Sequence, residues 1–148
     1  METLNYEIEI KAPIQKVWDL LWNEETYTLW TQFFSEAESS HMKSDWKVGG
    51  ETLFLGSSGN GMYSTITTLN EPTEVVFSHL GTYNDGVIDT KSREVEEWSG
   101  AEEKYFLRSI DENATQLRVI LHTMQEYKEH MDKGFEKGLA LLKELAEK

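Results

Sequence analysis

Cysteine is absent from the 148-residue chain, and with it go disulfides, thiolate metal sites and cysteine nucleophiles. The absence fits a reducing compartment. No apolar run approaches the roughly 18 residues that a membrane span requires. The start, Met1-Glu2-Thr3-Leu4-Asn5-Tyr6, lacks the basic and apolar regions of a secretory signal. The expectation is therefore a soluble, cytoplasmic protein. Basic residues are scarce: 14 Lys and Arg stand against 27 Asp and Glu, a formal net charge of −13. Such a field repels phosphate backbones and anionic membranes, which argues against nucleic-acid and membrane partners. Its plain reading is solubility.

Chemical signatures are missing too. There is no His-x-x-x-His and no carboxylate cluster at ligand spacing, so no metal is expected. The acidic runs Glu94 to Glu97 and Glu102-Glu103 read as solvated. No Gly-x-Ser-x-Gly occurs. Gly56-Ser57-Ser58-Gly59-Asn60-Gly61 lacks the Lys-Ser/Thr of a phosphate loop and reads as a hairpin turn. No cofactor and no enzyme signature emerge.

What is present is core material. Hydrophobic residues make up 39% and aromatics 11%, enough for one domain over residues 1–148. Leu4, Tyr6, Ile8 and Ile10 alternate with polar residues, the period of a half-buried strand. Ala12-Pro13 breaks it, and Val17, Trp18, Leu21 and Trp22 then recur at helical spacing. A second short helix is expected over Glu24 to Leu29, ending near Trp30. The polar stretch Ser35 to Lys43 carries no clear pattern. Strands are expected over Glu51 to Leu55, Met62 to Leu69, Val75 to Leu80, Lys104 to Ile110 and Thr115 to Met124, separated by turn residues. Gly81 to Gly100 is the least regular part. In the final helix Met131, Phe135, Gly138, Leu142 and Leu145 form a stripe. Consecutive strands with short links imply an antiparallel sheet, and this stripe is the one long apolar face available to cover it.

Several strings in this order resemble the START-related superfamily, also called SRPBCC or Bet v 1-like. They are the opening strand with Ala12-Pro13-Ile14-Gln15-Lys16-Val17-Trp18, then Leu29-Trp30, Val48-Gly49-Gly50-Glu51, Asn70 through Phe77, and Gly134 through Leu139 with Leu142 to Leu145. The nearer likeness is to the branch resembling the C-terminal domain of the heat-shock chaperone ATPase activator. The chain departs from the pattern where Phe135 replaces a frequent Trp and where Gly81 to Gly100 is longer than usual. The resemblance implies an α+β helix-grip fold: a curved antiparallel sheet of about seven strands around a long C-terminal helix, with two short helices after the first strand. It also implies a hydrophobic pocket between sheet and helix.

Residue chemistry gives candidates for that pocket. Trp30, Phe33 and Phe34 form a bulky cluster after a short helix, and Phe54, Phe77, Met131 and Phe135 supply further apolar surface. His79 alternates with Val75 and Phe77, and His122 with Ile120 and Met124. On an inward face, each histidine is a polar group able to orient a ligand or move a proton; at a rim it is simply hydrogen-bonded. Gly134 and Gly138, four apart in a helix, mark a close approach by a strand backbone or by a ligand. The leading expectation is a binding protein for a small hydrophobic partner of lipid, polyketide or aromatic type. The alternatives are a chaperone-associated stress-response protein, by resemblance, and a cyclase or hydrolase using His79 or His122.

Overall fold

The computed structural model describes residues 1–34 and 40–148. Strand β1 (Glu2–Ile10) keeps its alternation, with Leu4 and Ile10 buried and Asn5, Glu7 and Glu9 exposed. Pro13 sits just before α1 (Ile14–Trp22), where its missing N–H breaks no helical bond. Val17, Trp18, Leu21 and Trp22 form the buried face of α1. Asn23 ends that helix, and its side chain accepts the Glu25 N–H to cap α2 (Glu24–Trp30). A 3-10 turn, Gln32–Phe34, follows. The unpatterned stretch Ser35 to Lys43 lies partly outside the described residues; its last part opens β2.

Strands β2 (His41–Ser44), β3 (Thr52–Leu55), β4 (Gly61–Asn70), β5 (Glu74–Asn84), β6 (Val87–Asp89), β7 (Ala101–Asp111) and β8 (Ala114–Thr123) make up the sheet with β1, and α3 (Arg93–Glu96) separates β6 from β7. The strands pair antiparallel in the order β1-β8-β7-β5-β4-β3-β2, with β6 beside β5 off that path. Among the described residues the sheet has eight strands, one more than the resemblance implies, and β2 and β6 are the two that the sequence pattern did not mark. Strand β6 arises in the segment whose pattern was irregular. There β5 runs on to Asn84, and Asp85-Gly86, both at positive φ, reverse the chain. Two central residues at positive φ make the tight turn whose twist matches a hairpin. Register shifts at Tyr63/Ser64 and Ile66/Thr68 in β4 bend the sheet.

Helix α4 (Lys128–Glu147) covers one face of the sheet. Phe135, Gly138 and Leu142 of the expected stripe are buried, Met131 and Leu145 are half-buried, and Leu139 and Ala146 complete the face. Those last two fall in the same sector because the helix repeats every 3.6 residues. Phe135, Leu139 and Leu142 share one core with Leu4, Ile10, Leu107, Leu117 and Val119. The Tyr6 hydroxyl donates to Asp132 Oδ1 at 2.6 Å and Lys143 Nζ donates to the Glu9 carbonyl at 3.0 Å, tying α4 to β1. This is the helix-grip arrangement.

Candidate functional site

A recess of about 500 Å³ lies between the sheet, the α2 segment and α4. Trp30, Phe34, Phe54, His79, His122, Met131 and Phe135 all border it. Phe33 and Phe77, also candidates from the sequence, do not border it. Successive residues of a 3-10 turn point about 120° apart, so only one of Phe33 and Phe34 can face the recess. Phe77 is fully buried, with its ring centroid 5.0 Å from Phe54, 5.5 Å from Trp22 and 6.3 Å from Tyr105. It packs behind the wall.

The helix glycines also find a different neighbour from either expected one. A Cβ on Gly138 would stand 2.4 Å from the Trp30 carbonyl oxygen, and one on Gly134 would stand 2.4 Å from the Phe34 ring. Neither a strand backbone nor a ligand is what comes close. The glycines admit the end of α2 and the turn after it, and so seat Trp30 and Phe34 against α4.

The sequence reading missed the polar side of the recess. Glu103, taken as part of a solvated run, has a side chain only 21% exposed and borders the recess with Tyr105. The signal was present in β7, where Ala101, Tyr105 and Leu107 are buried on one face and Glu103 falls in the same alternation. Ser64 and His79 are direct partners in the β4–β5 register. The Ser64 hydroxyl lies 2.7 Å from His79 Nδ1, and His79 Nε2 lies 3.3 Å from Glu103 Oε1. The Tyr105 hydroxyl donates to Glu103 Oε2. One consistent proton arrangement uses each donor once: Ser64 donates to Nδ1 of a neutral imidazole, and its Nε2–H donates to the carboxylate.

This chain of groups constrains the chemistry. Both ring nitrogens of His79 are engaged, and Ser64 is completely buried and does not border the recess. A serine sealed behind its histidine cannot meet a substrate, so the four groups do not form a nucleophilic centre. Of the two settings expected for His122, the structure gives the hydrogen-bonded one at a rim. Leu117, Val119 and Leu121 point into the core, leaving Ile120 and His122 half-buried on the alternate side. His122 Nδ1 accepts the Glu102 backbone N–H at 3.3 Å, and the residue reaches the recess only at the strand end, where Leu121 to Met124 all border it.

Burial, reinforced by the charge of Glu103, holds the Tyr27 and Tyr105 phenols well above the usual value of 10. Both stay protonated in the fold while the unfolded chain releases its phenolic protons near pH 10. The folded state then holds more protons, so stability falls as pH rises past that point, by up to about 1.4 kcal/mol per pH unit for each tyrosine. Urea unfolding at about pH 9 and about pH 11 should show a clearly smaller loss in the Tyr27→Phe/Tyr105→Phe double variant than in the parent.

Among the described residues no His, Cys, Asp and Glu side chains group as a metal site, and no helix is long and apolar enough to cross a membrane. None of the curated proteins compared matches the chain. Similar solved structures include the Aha1 dimer from Colwellia psychrerythraea, with 21% identity over 99% of this chain and 97% of that one, at a TM-score of 0.71. A protein from Chromobacterium violaceum is 16% identical, covers 100% and 99% of the two chains, and has a TM-score of 0.70. An HSP90 activator from Plasmodium falciparum is 16% identical over 98% and 96%, at 0.64. At these identities the likeness shows the fold. The sequence model of the family described as activator of Hsp90 ATPase homolog 1-like protein matches residues 11–147. With the helix-grip fold in place, the chain belongs to that family, within the SRPBCC/Bet v 1-like superfamily.

Proposed function

We propose that the chain, as one domain over residues 1–148, binds a small apolar molecule of aromatic, lipid or polyketide type between sheet and α4. The observation that carries this reading is the recess itself. Its volume of about 500 Å³ falls within the roughly 300–1,000 Å³ of small-molecule sites. Its walls are mainly aromatic and apolar, with one hydrogen-bonded polar side, the usual make-up of a site that holds and orients a ligand.

Amide NMR titration with 1-naphthalenemethanol tests the reading. Saturable shifts are expected around Trp30, His79 and Phe135, and their absence with a panel of naphthyl and fatty acyl probes would count against it. Ala101, buried at the wall of the recess, offers a second check. Ala101→Leu puts three carbons into the space and is expected to weaken binding at least about tenfold, equivalent to ~1.4 kcal/mol. Its fold, read by circular dichroism, is expected to remain.

Contact with the Hsp90 chaperone is a second reading, favoured by the family match over residues 11–147. It predicts a faster chaperone ATPase when the chain is added at equimolar concentration; an unchanged rate, with no complex on a sizing column, overturns it.

A further inference from the structure

We propose, resting on the binding reading above, that the recess selects a protonated amine carried on an aromatic or alkyl body. Among the described residues Glu103 is the acidic residue that borders the recess, and no lysine or arginine among them borders it. Its oxygens accept from His79 and Tyr105, which takes two of the roughly four acceptor positions of a carboxylate. A carboxylate with acceptor positions to spare thus faces a mainly aromatic and apolar recess, where a ligand ammonium can donate to it.

The rest of the lining fits the same chemistry. Tyr27, Trp30, Phe34, Trp98 and Phe135 present rings to the recess. Aromatic faces attract ammonium groups, most strongly where water is excluded. The net charge of −13 raises the local concentration of cations and repels anions. A fatty acid or another carboxylate, by contrast, meets no lysine or arginine there and lies beside Glu103.

Three probes of matched shape separate these cases by calorimetric titration: 1-naphthylmethylamine, 1-naphthalenemethanol and 1-naphthoate. The amine is expected to bind at least about tenfold more tightly than the alcohol, and naphthoate more weakly than either. In Glu103→Gln the ratio of amine to alcohol affinity is expected to fall to within about threefold of one. Naphthoate binding as tightly as the amine, or an advantage that survives in Glu103→Gln, overturns the selectivity and leaves the binding reading standing. If none of the three binds, the selectivity is overturned, and the fatty acyl probes decide the binding reading. Should Glu103→Gln not fold, the ranking on the parent protein decides.

Discussion

Trp30→Ala is expected to remove about 3–5 kcal/mol of folding free energy, the largest loss for any side chain bordering the recess. The residue is 1% exposed. Its ring lies 5.6 Å from Tyr27, 6.4 Å from Phe135 and 6.5 Å from both Phe34 and Tyr105, measured between centroids. Its Nε1 donates to the Leu21 carbonyl at 3.0 Å, joining the end of α1 to the end of α2. Alanine would leave a large cavity among those rings and deprive that carbonyl of its partner. Trp30→Phe keeps much of the volume and isolates the hydrogen bond, with an expected cost of about 1–3 kcal/mol. Urea unfolding of both variants measures the two parts. A loss below about 1 kcal/mol for alanine would mean that this ring does not hold α2 against α4.

Gly138→Ala should destabilise the protein although alanine is the better helix former. Helix propensity alone favours the change by about 1 kcal/mol. Against that, the new methyl would stand 2.4 Å from the Trp30 carbonyl oxygen, a backbone atom that cannot swing aside. Overpacking of this kind costs typically about 1–3 kcal/mol, and here it adds to the displacement of the Trp30 indole, whose Cε3 would be 3.3 Å away. The net expectation is a loss of about 1–2 kcal/mol in urea unfolding. Gly134→Ala provides the contrast. Its methyl meets the Phe34 ring, a half-buried side chain beside an open recess. That ring can turn into the recess, so stability is expected to change less than in Gly138→Ala while ligand affinity falls. Equal stability losses for the two variants would contradict the packing described for α2 and α4.

The layout was legible because its signals are local and repeated. The alternation of Leu4 to Ile10, the break at Pro13 and the stripe through Phe135 and Leu142 each fix an element. β6 was not legible as a strand, because three residues bounded by Gly86 and a polar run carry too little pattern, although Asp85-Gly86 did hold the turn. The aromatic walls were readable as a supply of rings, but which rings face the recess was not. Phe34 and Phe33 are neighbours in sequence, and Phe54 and Phe77 are in ring contact, yet one of each pair lines the space and the other does not. The glycines marked a close approach correctly in kind and hid its partner, since the end of α2 lies more than a hundred residues away in sequence. Glu103 was hidden for another reason. Next to Glu102 it looks like a solvated acid, and its place in the Ala101-Tyr105-Leu107 alternation marks an inward carboxylate only once read with its register opposite Phe77 and its bond from Tyr105.

The account turns on whether a small molecule enters the space between sheet and α4. Intermolecular nuclear Overhauser effects from bound 1-naphthylmethylamine test this most directly. The predicted result is contact with the methyl groups of Met62 and Met131 and with the ring protons of Tyr105, which border the recess from three different elements. Contacts confined to the exposed Val87 and Ile88 of β6, or to no fixed set of protons, would contradict it.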